Sequence, residues 1–169
     1  MHINVAQLLK EPVGSKRTYT VDEFIGKKDE NHVQGEVTLI HTDRSILVQG
    51  KLTAMIKGHC NRCLDPVNFS ITFTMEDEYL PSVDVVSGAH LPHTPDTFTI
   101  NENHILDLEE AFNQYIVTAT PMKVLCRMGC AGLCLTCGQN LNNKICSCGS
   151  PAGDPRWSKL VNQEKRKEN

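Results

Sequence analysis

Eight cysteines fall into four close pairs, and that pairing constrains the fold of this 169-residue chain more than any other feature. Cys134-Leu135-Thr136-Cys137-Gly138 is followed by Cys146-Ser147-Cys148-Gly149. Two residues between cysteines let one tight turn aim both sulfurs at a single point. The glycine after each pair permits a positive φ and lets backbone N–H groups reach the sulfurs. Two such knuckles can supply the four corners of a tetrahedron at a zinc–sulfur distance of about 2.3 Å. Cys134, Cys137, Cys146 and Cys148 therefore read as one structural zinc site, although Cys146 and Cys148 are one residue closer than the usual spacing. Asn140-Leu141-Asn142-Asn143 fits the turn between the knuckles.

Cys60-Asn61-Arg62-Cys63 and Cys126-Arg127-Met128-Gly129-Cys130 form the other two pairs. The first lies between two expected strands, and the second follows a helix stopped by Pro121. Both can meet at one end of a sheet, so these four thiolates are expected to hold a second Zn2+. A different partition, with Cys126 or Cys130 replacing a ligand of the C-terminal site, stays open at this stage. A thioredoxin-like redox pair needs a helix directly after the motif, whereas Leu64-Asp65-Pro66 leads into a strand. Closed four-thiolate sites leave no position for a catalytic water, and no phosphate-binding glycine loop, G-x-S-x-G or H-E-x-x-H motif is present. No catalytic residue is assigned and no enzymatic activity is expected. His59, His90 and His93 read as solvated, and Glu109 and Glu110 as first-turn helix acids.

Thiolate chemistry presumes a reducing compartment. The N-terminal Met1-His2-Ile3-Asn4-Val5 lacks a basic segment followed by an apolar run, so a cytoplasmic location is expected. No stretch reaches the roughly 18 apolar residues of a membrane span.

The net charge of −3 conceals a division along the chain. Residues 76–122 carry nine acids and no Lys or Arg, whereas residues 123–169 carry eight basic residues against three acids. Each zinc with four thiolates contributes −2, which offsets much of that basic excess.

Apolar residues recur mostly at every second position through Val33, Val37 and Leu39, then Ile46, Val48, Leu52, Ala54 and Ile56, then Val67, Phe69, Ile71, Phe73 and Met75. Period two predicts strands with one buried face, and the short connections His41–Ser45 and Asn61–Pro66 favour antiparallel neighbours. Residues 81–96, with three prolines, read as a loop before a short strand at Thr97–Ile100. Leu108, Ala111, Phe112, Tyr115, Ile116 and Ala119 mark one face of a helix, with Asp107 as N-cap and Glu110 completing a capping box. Asp154-Pro155 suits the start of a last helix. The expectation is an α+β protein: an antiparallel β-meander or partly open barrel with one main helix over residues 1–122, a zinc-knuckle module at 123–155, and a helix and polar tail at 156–169.

Several of these residues also carry a family resemblance. Gly58-His59-Cys60-Asn61-Arg62-Cys63-Leu64 resembles the G-x-C-x-R-C-L segment of the bacterial and plastid YceD proteins, the large ribosomal RNA subunit accumulation proteins. Leu125-Cys126, Cys130-Ala131-Gly132-Leu133-Cys134, Cys137-Gly138, Asn140-Leu141-Asn142 and Asp154-Pro155-Arg156-Trp157 resemble its C-terminal signature. Leu135 stands where the family usually has proline. The resemblance spans nearly the whole chain and implies a non-enzymatic cytoplasmic factor needed for normal levels of large-subunit (23S) ribosomal RNA. Beside it, Lys144, Arg156, Lys159, Lys165, Arg166 and Lys167 can neutralise phosphates of ribosomal RNA or a pre-ribosomal particle, and Trp157 offers a stacking face. The alternative is an adaptor whose acidic stretch holds a basic ribosomal or assembly protein.

Overall fold

The computed structural model of the chain describes residues 1–26, 31–92 and 97–149. They belong to two compact units: residues 1–58 and 66–122 in one, residues 59–65 and those from 123 onward in the other.

The first unit is built on a five-stranded sheet in the order β2-β3-β4-β5-β6, with β2 at Lys16–Ile25, β3 at Asn31–His41, β4 at Ile46–His59, β5 at Pro66–Pro81 and β6 at Phe98–Ile100. The alternating residues do what their period requires. Val33, Val37, Leu39, Ile46, Val48, Leu52, Ala54, Ile56, Ile71, Phe73 and Met75 are all buried. Burying each of these side chains except the smaller Ala54 contributes about 1.5–3 kcal/mol, which is what holds the register. In that register Val21 faces Gly35 and Gly35 faces Leu52, both pairs antiparallel. The turn between β3 and β4 closes on Ser45, whose buried hydroxyl meets Thr42 Oγ1 at 2.6 Å and the Glu78 carboxylate.

Two features depart from a plain antiparallel meander. The short strand β6 runs parallel to β5, pairing Tyr79 with Phe98. Residues 82–97 form a connection long enough for a parallel return, which the shorter loops are not. The sheet also ends at β2 and β6 without joining them, so it is open and not a barrel.

A second, two-stranded sheet pairs β1 (His2–Asn4) with β7 (Ile105–Asp107). The N-terminal segment supplies β1 and then a single 3-10 turn at Leu8–Lys10, which buries Leu8. Helix α1 (Glu109–Ala119) follows β7 directly and buries Ala111, Phe112 and Ile116. Its start differs from the expected capping box. Asp107 is paired with His2 in β7, so its backbone is extended and Leu108 takes the N-cap position without a side-chain cap. The Asp107 carboxylate still accepts the Glu109 N–H at 3.0 Å. At the other end Thr120 is extended, as the residue before Pro121 must be.

Candidate metal centres

The second unit is assembled from chain segments far apart in sequence: it takes in residues 59–65, and the chain returns to it at residue 123. The β4–β5 connection is a knuckle. Leu64 N–H donates to the Cys60 carbonyl at 2.9 Å and Cys60 N–H to the Asp65 carbonyl at 2.9 Å, with Leu64 at φ 62°. That turn places Cys60 and Cys63 side by side. Asn61 N–H then bonds the Val124 carbonyl at 2.8 Å, which draws the segment before Cys126 alongside.

The four sulfurs of Cys60, Cys63, Cys126 and Cys130 all lie within 4.8 Å of one another. Cys60 Sγ is 3.8 Å from Cys130 Sγ and Cys63 Sγ is 3.7 Å from Cys126 Sγ. Four sulfurs at about 2.3 Å from a central ion would be about 3.8 Å apart. Their spacing is thus that of ligands around one ion, and too long for disulfides. Cys60, Cys63 and Cys130 are buried and Leu125 packs against them.

The second quartet is Cys134, Cys137, Cys146 and Cys148, again with all sulfurs within 4.8 Å and more open to solvent. Its first knuckle is a tight hairpin: Gly138 N–H bonds the Cys134 carbonyl at 2.9 Å, Cys134 N–H bonds the Gln139 carbonyl at 2.8 Å, and Leu133 bridges Asn140. Gly138 has φ +71°, so the left-handed turn after this pair requires glycine. The ambiguity in partitioning the cysteines ends here, because the sulfurs group four and four. Either quartet could hold a metal ion.

The sulfurs are prepared for ionisation unevenly. Burial opposes ionisation of Cys60, yet the N–H groups of Cys126, Cys63 and Arg62 outweigh it and bring the thiol down to about 6. Cys130 is lowered chiefly by the Asn142 side chain. Cys134 is lowered to about 6 by the N–H groups of Cys137 and Thr136. Cys126 is pushed up by burial and by the Cys130 sulfur. Sulfurs that share one space cannot all ionise unless a cation joins them.

A polar bracket ties the quartets together. Asn142 Nδ2 donates to Cys130 Sγ at 3.3 Å, while its Oδ1 accepts from the Ala131 N–H at 2.9 Å and Arg127 at 2.7 Å. Asn140 Nδ2 reaches the Asp65 carboxylate at 2.9 and 3.1 Å. Arg62 donates to the Cys130 carbonyl at 2.9 Å, and its own carbonyl accepts the Leu133 N–H. Sequence reasoning took Asn140 and Asn142 for turn formers and missed this role. Two amides spaced two apart between cysteine pairs were the available signal.

His59 and His90 are exposed and join neither quartet. Lys144 is exposed on the second unit. His93, Arg156, Trp157, Lys159, Lys165, Arg166 and Lys167, with the helix expected from Asp154, lie outside the described residues. Among the described residues no helix is long and apolar enough to cross a membrane.

Among the described residues, an open antiparallel-rich sheet with one α-helix and a discontinuous unit of two cysteine quartets defines a class of cysteine-cluster β protein. The chain belongs to the family described as large ribosomal RNA subunit accumulation protein YceD, whose model matches residues 48–162. It is similar to the large ribosomal RNA subunit accumulation protein YCED homolog 1, chloroplastic, of Arabidopsis thaliana, 24% identical over 94% of this chain and 56% of the relative. It is also similar to uncharacterized proteins of Mycobacterium leprae, 27% identical over 69% of this chain and 52% of the relative, and of Mycobacterium tuberculosis, 28% identical over 69% and 54%. The chain spans about half the length of the curated relatives it matches. No solved structure matches it.

Proposed function

We propose that this chain is a non-enzymatic, zinc-stabilised cytoplasmic factor that supports accumulation of large-subunit (23S) ribosomal RNA and biogenesis of the large ribosomal subunit. The observation that carries the reading is membership of the YceD family. Zinc is the ion favoured by four thiolates at tetrahedral spacing, and two closed quartets serve to hold a fold together. They offer no open coordination position for chemistry.

The second unit is the part that meets RNA or a pre-ribosomal particle. Its described residues include Arg62, Lys123, Arg127 and Lys144 against Asp65 alone, and Asp65 is occupied by Asn140. Two zinc–thiolate centres add negative charge there, so Arg156, Lys159, Lys165, Arg166 and Lys167 supply most of the attraction, with Trp157 for stacking. The test uses the zinc-loaded chain and fragments of 23S ribosomal RNA across a salt series. Replacing Arg156, Lys165 and Arg166 by alanine is expected to weaken binding and to flatten the salt slope by about two to three. An unchanged affinity and slope would remove direct RNA contact from the reading. Metal analysis of anaerobically purified protein is expected to give about two zinc per chain. A value near one would leave a single centre, and zero would leave none.

A second reading, an adaptor that holds a basic ribosomal or assembly protein, is favoured by one specific observation. Asp107, Glu109 and Glu110 stand exposed together where β7 passes into α1. A basic protein held there would stay bound after nuclease digestion, whereas an RNA-bridged one would be lost.

A further inference from the structure

We infer that the two cysteine quartets are thermodynamically coupled: metal at the C-terminal quartet raises the metal affinity of the buried one, through Asn140 and Asn142. The inference rests on both quartets holding metal, and on no part of the RNA reading.

Both asparagines lie in residues 138–145, the loop that joins the two cysteine pairs of the C-terminal quartet. Their side chains reach across to the other quartet. The Asn142 amide can form four hydrogen bonds and makes all four. Nδ2 donates to Cys130 Sγ at 3.3 Å and to Asn140 Oδ1 at 2.9 Å, while Oδ1 accepts from the Ala131 N–H and from Arg127. Asn140 in turn donates to both oxygens of the Asp65 carboxylate. Asp65 closes the first knuckle, because its carbonyl accepts the Cys60 N–H. A continuous chain of hydrogen bonds thus runs from Asp65, two residues past Cys63, to the sulfur of Cys130. Its two middle links belong to the loop of the other quartet.

A plain turn needs none of this. The Asn140 carbonyl already closes the turn by accepting the N–H groups of Asn143 and Lys144, each at 3.2 Å. The amide bonds come in addition, and they are sensitive to what holds the loop. Metal at the C-terminal quartet fixes both ends of that loop, at Cys137 and Cys146. The backbone carrying the two amides is then ordered in advance, so they meet Asp65 and Cys130 at little further entropic cost. An N–H donated to a metal-bound sulfur orients it and balances its charge, and such outer contacts change metal affinity by about 10–100-fold. When the C-terminal metal leaves, the loop ends are released and the buried quartet loses that support. The C-terminal quartet is also the more open one. Cys137 is exposed and its three companions are half-buried, whereas Cys60, Cys63 and Cys130 are buried. The centre that exchanges metal with solvent more readily therefore controls the one that does not.

The test uses the full chain, isotopically labelled at cysteine, so that NMR reads each quartet separately while a competing chelator withdraws zinc. Cys146→Ser combined with Cys148→Ser removes the C-terminal metal and is expected to weaken the buried quartet about tenfold. In the Asn142→Ala background the same two serines should cost almost nothing more, because the link is already cut. Additive losses there would make Asn142 a local support of Cys130 and overturn the coupling. So would an unchanged buried quartet after loss of the C-terminal metal. Should the serine variants fail to fold, Asn140→Ala and Asn142→Ala keep every ligand and decide the matter alone. Coupling is reciprocal, so each is expected to weaken both quartets several-fold. A local support would weaken only the buried one, and that result would also overturn the coupling. If both quartets hold zinc independently, the zinc reading stands and this inference falls. If neither holds metal, both fall.

Discussion

Asp77 is a carboxylate on the wrong side of a strand. The alternation of β5 puts it on the face of Phe73, Met75 and Tyr79, and its Oδ2 has no partner. Burial raises its pKa, only partly opposed by the Tyr115 hydroxyl. A carboxyl whose folded pKa exceeds its unfolded value binds more protons in the native state. Its contribution to stability is therefore fullest below about pH 4 and is lost as pH rises through the folded pKa. Asp77→Asn is accordingly expected to raise the thermal midpoint at pH 7, with the gain shrinking toward pH 3, as paired melts across that range would show. A gain of equal size at every pH would contradict this origin. The residue escaped sequence reasoning for a plain reason. Alternation is legible up to Met75, but Glu76-Asp77-Glu78 is three acids in a row and carries no period. Asn142 was hidden differently, because its spacing from Asn140 fits a plain turn as well as it fits a bond to a sulfur.

At the scale of elements, the strands were the most legible part, since period two survives in β3, β4 and β5 whatever surrounds them. The direction of β6 was not legible, because three residues carry no record of which neighbour they join. Nor was the start of α1, where pairing with His2 overrides the capping preference of Asp107. Two glycines in the sheet also have a role that alternation does not announce. A Cβ on Gly35, at φ +150°, would lie 2.4 Å from the Lys51 carbonyl oxygen, and one on Gly50 would lie 2.9 Å from the Glu36 carbonyl oxygen. Both contacts are with backbone of the neighbouring strand, which cannot move aside without opening the ladder. Gly35→Ala should cost about 2 kcal/mol or more, measured by denaturant unfolding. Gly26 has a positive φ but open space around its Cβ position, so Gly26→Ala should cost less.

For the whole molecule, the C-terminal quartet could be read from spacing because its four ligands lie within fifteen residues of one another. The other quartet draws Cys60 and Cys63 to Cys126 and Cys130 across the full length of β5, the loop, β6, β7 and α1. Spacing alone left that partition open, since long-range closure is decided by the fold between the ligands. The Asn61 to Val124 bond and the Arg62 contacts are what complete it.

The discontinuity of the second unit has a genetic consequence. No single cut in the coding sequence removes that unit whole, because two of its cysteines are encoded inside the sheet. A peptide of residues 123–169 keeps six of the eight cysteines and loses Cys60 and Cys63. It is expected to retain about one metal ion where the intact chain is expected to hold about two, by metal analysis after gel filtration. Two zinc ions on the fragment would show that its own residues complete both centres. Evolution faces the same restriction as the cloner: this unit cannot be shuffled onto another protein as a cassette, and it travels only with the strands that enclose its first knuckle.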